Sequence, residues 1–394
     1  MASYGGGHVA ALLPLARRLQ ADDRVELICL GFTTARAVFE AAGFAVIGAR
    51  DMLEPGDESW LALAEPLLEQ VQHAAIEPED ALAYYAVGLK DLARSMGLDA
   101  ALTRIKTQGR HCFEPVDSCR ALLQRLAPAL LITSTCPRSE LALQKAARQL
   151  EINALAVGDL FLQHEAAYVC APDYAPHLSV IAESVRQRLR QQDCSSEIHV
   201  CGNPAFDALL DPGHRAQAQA FRQSLDLDST HHLLLWACHP AVKAFTGRNF
   251  VEPMAMLSAL EDYAGSHPEV RVLIRQHPSA PLFAADQPVR HGWICPPDLP
   301  LETCLHAVDQ VVVELSTVGL QAALLGKPLV TIQAGQPNDY GQLGLAVDAP
   351  DLEAMPAALD LRQSPDLKAL GYPLQVPAAS CLEQLCQSIL ERER

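Results

Sequence analysis

The sequence predicts an α/β fold with two doubly wound halves, because short apolar runs alternate with segments of helical periodicity. Runs this apolar are typical of parallel strands that helices cover on both faces. The runs are VELICLGF (25–32), ALLITSTC (129–136), INALAVGDLF (152–161), HLLLWACHP (232–240), VRVLIRQHP (270–278), QVVVEL (310–315) and PLVTI (328–332). A length of 394 residues also favours more than one domain.

One segment divides the chain. CGNPAFDALLDPG (201–213) carries two glycines and two prolines, and a new βα series begins after Asp228. We therefore expect an N-terminal Rossmann-like domain over 1–200, a C-terminal Rossmann-like domain over 201–375 and a C-terminal helix over 376–394. The region from about 54 to 120 is acidic and helical without a strong strand, so we expect a helical insertion there.

Composition excludes several classes of function. The formal charge is −17, from 47 acidic and 30 basic residues, which argues against a nucleic-acid partner or an anionic membrane surface. The 12 cysteines include no CxxC pair and match neither a zinc ribbon nor a compact disulfide framework. No apolar run is long enough to span a bilayer, and the first residues lack a secretion signal. A reduced, cytoplasmic protein without a transmembrane segment is the simplest expectation.

The opening MASYGGGHVAALLPLARRL places Gly5, Gly6 and Gly7 before an amphipathic helix, with His8 at its start. Glycines at a strand-to-helix turn let a ligand approach the backbone, and the helix N–H groups favour an anion. The alternative is a tight connection alone, since the G-x-G-x-x-G spacing is not met. The run before the glycines is only Met1 to Tyr4, so either this strand is short or the natural chain begins earlier.

Two stretches of the second half end strands with polar side chains. VRVLIRQHPSAP places Arg275 and His277 where open parallel sheets bind ligands, and both side chains can donate to phosphate. VDQVVVELSTVGLQAALLGKPLVTI ends a strand at Glu314 and starts a helix, with Ser316 predicted as the N-cap and Thr317 beside it. The alternative for His277 is a buried side chain whose hydrogen bonds are made by the backbone. The alternative for Ser316 and Thr317 is a capped helix that binds no ligand.

These motifs resemble known families. RxHP followed by S-T-x-G-x-x-A-x-x-x-G-K-P is similar to the nucleotide-binding half of GT-B-type capsule and teichoic-acid polymerases and some sialyltransferases. HVCGNPAFDALL resembles the V-x-G-N-P-x-x-D stretch of UDP-N-acetylglucosamine 2-epimerases. GGGH resembles the GG-x-GGH loop of the glycosyltransferase that makes the peptidoglycan lipid precursor.

The resemblance implies a GT-B-like fold, with two Rossmann-like domains facing one another across a cleft. The N-terminal domain would hold the acceptor and the C-terminal domain the nucleotide-sugar. The phosphate-binding residues would be Arg275, His277, Ser316 and Thr317, with Glu314 on the sugar or ribose unless it only closes its strand. The donor and acceptor loops would contain Gly5, Gly6, Gly7, Gly202 and Asn203.

The implied reaction is metal-independent glycosyl transfer to a hydroxyl acceptor in bacterial surface glycan or glycoconjugate synthesis. No cofactor and no metal ligand set is predicted, since no D-x-D pair stands where a metal-bridged nucleotide needs one. His8 is the first candidate for the base. Asp159, in AVGDLF, is the second candidate for the base, and the alternative for Asp159 is that it only caps a helix.

The partners implied are a UDP-, CMP- or CDP-linked sugar donor and a glycan, lipid-linked or protein acceptor. A nucleotide-sugar 2-epimerase or hydrolase is the first rival, although the G-T-R-P-E and H-R-x-E-N signatures of that family are absent. A non-catalytic sugar-nucleotide-binding protein is the second rival, because the sequence offers no unambiguous catalytic carboxylate.

Overall fold

The computed structural model describes residues 1–68, 76–238, 251–277, 281–284, 286–314, 316–332 and 340–392. The chain forms two compact units: unit 1 is Met1–Asp207 with Tyr372–Arg394, and unit 2 is Ala208–Gly371. The ends of three predicted strand runs, at 239–240, 278 and 315, lie outside the described residues. Parts of the predicted helical regions, at 69–75 and 393–394, also lie outside them.

Unit 1 is built on a seven-stranded parallel sheet in the order β3-β2-β1-β4-β5-β6-β7. Its strands are β1 Ala2–Ser3, β2 Cys29–Gly31, β3 Val46–Ile47, β4 Leu131–Ser134, β5 Ala154–Val157, β6 His177–Val180 and β7 Glu197–Val200. Its first helices are α1 Gly7–Gln20, α2 Thr34–Ala41, α3 Glu58–Leu68, α4 Pro78–Met96, α5 Leu98–Gln108, α6 Val116–Leu126, α7 Ser139–Gln149, α8 Ala166–Val169 and α9 Glu183–Gln191.

Unit 2 is built on a six-stranded parallel sheet in the order β10-β9-β8-β11-β12-β13. Its strands are β8 His232–Ala237, β9 Val270–Arg275, β10 Gly292–Ile294, β11 Gln310–Val313, β12 Leu329–Ile332 and β13 Val347–Ala349. Its helices are α10 Gly213–Ser224, α11 Pro253–Ser266, α12 Leu301–Ala307, α13 Val318–Leu324, α14 Met355–Asp360 and α15 Leu367–Leu370. The last helix, α16 Ala378–Glu391, belongs to unit 1.

Both sheets have the doubly wound order of a Rossmann fold. In each, the first strand of the unit is internal, and the chain builds outward on one side before it returns to the other. The order of strands reverses between β1 and β4 in unit 1 and between β8 and β11 in unit 2. Ligands of open α/β sheets bind outside the carboxyl ends of the strands at such points, so a binding site is expected at each of these two places.

The described residues of 54–120 form helices and no strand, and they cover one face of the unit 1 sheet. Tyr84 and Tyr85 of α4 pack edge-on against Phe113, and a side chain at Gly88 would collide with that ring. Lys90 of α4 is almost completely buried, and its Nζ lies 2.6 Å from the Asp57 carboxylate. A buried ammonium group needs such a partner, so this pair fixes α4 against the segment before α3.

The other face of the unit 1 sheet is covered partly by the returning helix α16, which packs on α1 through Leu382, Cys386 and Ile389. Asp207 accepts hydrogen bonds from the first backbone amides of α16, at 2.7 and 2.9 Å. Cys201 and Cys381 are joined in a disulfide with a Cα–Cα distance of 5.4 Å. The expectation of a fully reduced chain is therefore corrected at this pair, whose members are 180 residues apart and meet only in the folded chain.

The described part of the chain contains no helix long and apolar enough to cross a membrane. The seven apolar runs each contain a strand, but five further strands, β3, β6, β7, β10 and β13, were not predicted. These are two to four residues long, and β6 and β7 carry histidine or glutamate. All but β6 lie at the edge of a sheet, and short strands that are exposed at an edge or carry polar side chains give no continuous apolar signal.

Candidate functional site

The loop after β1 lies beside the loop after β4, at the point where the order of unit 1's strands reverses. Gly5 and Gly6 have φ values of 140° and 58°, and a side chain at Gly5 would collide with Thr34. A non-glycine residue is strained in this conformation. Gly7 is the first residue of α1, where a Cβ atom would have ordinary contact with Asp159. Gly5 and Gly6 therefore have a conformational role that Gly7 does not share, and the turn brings His8 to the carboxyl edge of the sheet.

The carboxyl group of Glu140 holds these two loops together. It is completely buried and accepts hydrogen bonds from the Tyr4 amide after β1, the Ser134 hydroxyl of β4 and the Cys136 amide after β4. Burial raises the pKa of Glu140, although the nearby His8 and the hydrogen bonds oppose the rise. Sequence reasoning missed this residue. A usable signal was its helical spacing from Leu143, Gln144 and Ala147, which are also buried.

His8 and Asp159 form the central pair of the site. His8 Nδ1 lies 3.2 Å from Asp159 Oδ2, and their side chains are 26% and 15% exposed. Burial alone would lower the pKa of His8, but Asp159, a hydrogen bond to Cys136 and the charge of Glu140 together raise it to about 10. The imidazole is therefore protonated at neutral pH. This differs from the expectation that His8 titrates near neutrality as a free base.

Two arginines lie near the same loop. The Arg138 guanidinium is 4.4 Å from the centre of the Tyr4 ring, and that of Arg110 is 5.9 Å from it. Arg138 Nε and Thr135 Oγ1 are buried without a hydrogen-bond partner among the residues that the structure describes. Buried polar atoms normally have partners, so these two represent hydrogen-bonding capacity that the described residues do not use. Together with His8, Asp159 and Glu140, they give this edge of unit 1 groups of both charges.

Asn203 holds the backbone of Asp159, and Gly202 lies against Tyr372. Asn203 Nδ2 donates to the Asp159 carbonyl at 2.8 Å, and the Asn203 amide donates to the Tyr372 hydroxyl at 2.9 Å. Gly202 has a φ of 85°, and a Cβ there would crowd Tyr372. The predicted loop residue Asn203 thus contacts Asp159 through the Asp159 backbone carbonyl. The Asp159 side chain pairs with His8 and does not cap a helix.

In unit 2, Glu314, Ser316 and Thr317 follow β11, while Arg275 and His277 lie at the end of β9. Glu314 is buried and accepts a hydrogen bond from the Val251 amide at 3.1 Å. Ser316 Oγ accepts one from the Val318 amide at 3.3 Å. Thr317 already has helical backbone angles and makes no side-chain capping bond, so the capping side chain of α13 is that of Ser316, as predicted.

Arg275 is directed away from β11. Its Nη1 donates to the Leu299 carbonyl at 2.9 Å and lies 3.5 Å from Cys295 Sγ, both beyond the end of β10. A hydrogen bond from Cys304 and the charge of Arg275 outweigh burial and lower the pKa of Cys295 to about 7. Strands β9 and β11 are separated by β8, about 10 Å in a sheet of ordinary spacing. Ser316 and Thr317 therefore lie together after β11, whereas the contacts of Arg275 are with Leu299 and Cys295.

Replacing Glu140 tests its role. Glu140→Ala leaves three donors without an acceptor, those of Ser134 and Cys136 buried and that of Tyr4 half-buried. Each unpaired buried donor costs about 1–3 kcal/mol, so we expect the free energy of unfolding to fall by about 3 kcal/mol or more. Glu140→Gln keeps one acceptor oxygen and should cost less. Urea unfolding measures both variants. Glu114→Ala is the matched control, because it removes a half-exposed pair with Lys145 and should cost less than about 1 kcal/mol. Equal losses in Glu140→Ala and the control would contradict the assigned role.

The protonation of His8 gives a second prediction. Histidine-selective NMR titration should give the pKa of His8 near 10. Asp159→Asn should lower that pKa, because the Asp159 charge is the largest of the effects that raise it against the effect of burial. Asp228→Asn, which removes the partner of His231, should leave His8 unchanged. Because the folded pKa is raised, the stabilisation is complete below about pH 6.5 and is lost as the pH rises toward about 10. The stability difference between wild type and His8→Gln should shrink over that range, and a His8 midpoint near 6.5 would contradict the assignment.

Comparisons with known proteins bear on both units. Residues 263–366 match the family model described as "Capsule polysaccharide biosynthesis protein", and this stretch contains all five predicted phosphate or sugar residues. A search of curated proteins gave no match.

Several solved structures are similar over nearly the whole chain. The UDP-GlcNAc 2-epimerase from Methanocaldococcus jannaschii is 13% identical over 98% of both chains, with a TM-score of 0.58. The UDP-GlcNAc 2-epimerase from Neisseria meningitidis, solved with UDP-GlcNAc bound, is 11% identical over 99% of both chains, with a TM-score of 0.58. CalG4, the calicheamicin glycosyltransferase, is 13% identical over 99% of this chain and 97% of its own, with a TM-score of 0.56.

At these identities, structural similarity establishes the fold alone. The fold class predicted from the sequence, α/β with two Rossmann-like parallel sheets, is confirmed. The chain therefore has the GT-B-like fold that nucleotide-sugar epimerases and glycosyltransferases share, and part of its second unit is similar to capsule polysaccharide biosynthesis proteins.

Proposed function

We propose that this chain is a glycosyltransferase that moves a sugar from a nucleotide-sugar donor to a hydroxyl group during surface polysaccharide synthesis. The observation that carries the proposal is the His8–Asp159 pair at the strand-order reversal of unit 1, since acceptor deprotonation needs a positioned acid–base pair. The capsule-family match in unit 2 supports the glycan assignment. The neighbour that carries UDP-GlcNAc supports a nucleotide-sugar as the donor.

Unit 2 is assigned the donor. Ser316 and Thr317 stand before α13 at the carboxyl end of β11, the region of an α/β sheet where ligands bind. Their hydroxyls and neighbouring amides suit the phosphate oxygens of the leaving nucleotide, and such preorganised donors stabilise charge that develops on a leaving group. Because Arg275 is directed toward Leu299 and Cys295, we assign it to holding the end of β10 rather than to the phosphate. His277 remains assigned to the phosphate.

Unit 1 is assigned the proton transfer. With a pKa of about 10, His8 is deprotonated in only about one molecule in a thousand at pH 7. We therefore propose Asp159 as the group that accepts the acceptor's proton, while the His8 imidazolium orients the Asp159 carboxylate. Asn203 holds the Asp159 backbone in place.

A second candidate function is 2-epimerisation or hydrolysis of a nucleotide-sugar. The similarity to UDP-GlcNAc 2-epimerases over nearly the whole chain favours it. Incubation with UDP-, CMP- and CDP-sugars separates the candidates. A transferase releases nucleotide only when an acceptor is present, an epimerase interconverts the free donor, a hydrolase releases nucleotide without an acceptor, and a binding protein does none of these. The proposal fails if turnover occurs without acceptor or if no donor is consumed with any acceptor supplied.

The phosphate assignment predicts the effect of a double variant. Ser316→Ala with Thr317→Ala should weaken nucleotide binding about 100-fold or more, because each hydrogen bond to a charged group contributes about 1.5–3 kcal/mol. Isothermal titration with the nucleotide that stabilises the wild type measures the loss. Ser224→Ala with Thr230→Ala, two exposed hydroxyls of the same unit, is the matched control and should bind normally. Unchanged affinity in the first variant would remove both residues from the phosphate site.

The proton-transfer assignment predicts a pH profile. Asp159→Asn should lower kcat by roughly 10²- to 10⁴-fold with little change in donor affinity. With Asp159 as the base, wild-type kcat should be nearly flat between pH 7 and 9, because His8 keeps its proton over that range. If His8 is the base instead, kcat should rise about tenfold per pH unit. Such a rise, together with near-normal turnover of Asp159→Asn, would transfer the role to His8.

A further inference from the structure

Three side chains of types that can ligate a metal meet at the end of the unit 1 sheet opposite to the candidate site. His177 begins β6 and pairs in register with Glu197, which begins the edge strand β7. His199 lies two residues further along β7, on the same face of the sheet as Glu197 because side chains alternate along a strand. The candidate site follows the carboxyl ends of the strands, whereas this cluster stands at their amino ends.

The distances within the cluster suit one ion. His177 Nδ1 lies 3.3 Å from His199 Nε2 and 3.5 Å from one Glu197 oxygen, while His199 Nε2 lies 3.8 Å from the other oxygen. Two ligands at about 2.0–2.1 Å from a tetrahedral zinc ion are separated by about 3.3 Å. All three donor atoms lie within 4.8 Å of one another. Small side-chain movements would therefore bring them to bonding distance.

The composition and exposure of the cluster also fit a metal. Two imidazoles and one carboxylate are the ligand set of several zinc sites that keep one position open. The two histidine side chains are 13% and 19% exposed, and Glu197 is 49% exposed, so an ion can enter from solvent on the carboxylate side. A hydrogen-bonded histidine pair explains the 3.3 Å contact alone, but it does not explain why a carboxylate faces both rings.

Positive charge near the cluster opposes cation binding, and it offers a control. Arg392, after α16, donates to Glu197 Oε2 at 3.1 Å. Both side chains of this ion pair are exposed, so the pair contributes little to the stability of the fold. The other oxygen of Glu197 is the one nearest His199, so the carboxylate can retain Arg392 and still ligate an ion. Removal of Arg392 should strengthen cation binding rather than weaken it.

We propose that His177, Glu197 and His199 form a binding site for a divalent transition metal, with Zn²⁺ as the ion that suits this donor set. The ion would connect β6 to the edge strand β7, which pairs with only one neighbour in the described sheet. Strand β7 continues into Cys201, Gly202 and Asn203, and Asn203 holds the backbone of Asp159. The role is thus structural, and it is independent of the metal-free donor site assigned to unit 2.

The test uses the full chain without a histidine tag, stripped with EDTA and dialysed. Zn²⁺ bound after gel filtration is measured by atomic emission, and Co²⁺ is used as a spectroscopic probe of nitrogen and oxygen ligation. We expect one equivalent of Zn²⁺ in the wild type. His177→Ala and His199→Ala should weaken binding more than about 100-fold, since changes to second-shell partners alone cost about 10- to 100-fold. His231→Ala, a histidine paired with Asp228 in unit 2, is the matched control and should retain the metal.

Two further variants keep the test decisive if a histidine variant misfolds. Glu197→Gln alters a half-exposed side chain and should weaken binding without loss of circular dichroism, while Arg392→Ala should bind more tightly than the wild type. Zn²⁺ should also raise the unfolding temperature of the wild type but not of Glu197→Gln. The proposal is overturned if the wild type binds no Zn²⁺ at micromolar concentration. It is also overturned if binding persists in folded His199→Ala or Glu197→Gln, as expected for an ion held by cysteines such as Cys170 and Cys194.

Discussion

The buried carboxyl of Glu140 is the constraint on which the candidate site depends. Hydrogen-bond donors from β4 and from the loops after β1 and β4 end on this one group, so the two loops cannot separate without exposing unpaired polar atoms. Its charge also contributes to the raised pKa of His8. A single side chain at the start of α7 therefore fixes the shape of the strand-order reversal, and its charge adds to the larger effect of Asp159 on the protonation state of His8.

The apolar strands could be predicted from sequence because burial on both faces leaves an uninterrupted signal, as in HLLLWA and QVVV. Strands β6 and β7 could not, since His177 and Glu197 interrupt the apolar pattern of β6 and of the edge strand β7. Sequence reasoning placed His8 and Asp159 in one site, and they do pair. It missed Glu140, although the helical register of that residue indicated burial. The raised pKa of His8 depends on groups 128 or more residues away, so no local pattern could reveal it.

The two units use the same topology for different chemical assignments. In unit 1, the groups around the strand-order reversal are cations, aromatic rings and buried carboxyls, whose mutual interactions set protonation states. In unit 2, the groups after β11 are the buried carboxyl of Glu314 and, before a short helix, the hydroxyls and backbone amides of Ser316 and Thr317. Fixed neutral donors stabilise an anion without changing charge, whereas a coupled acid–base pair can exchange a proton. This contrast supports assigning the nucleotide to unit 2 and the proton to unit 1.

The disulfide between Cys201 and Cys381 has a topological consequence. The chain leaves unit 1 after Asp207 and returns at Tyr372, so every residue of unit 2 lies within the covalent ring that this bond closes. A protease that cuts anywhere in unit 2 would open the ring but leave the two parts of unit 1 covalently attached. Helix α16 would thus remain tethered to β7 after such a cut, and only reduction would allow it to leave α1. The disulfide thus links the two chain segments of unit 1 directly, and unit 2 is an insertion between them.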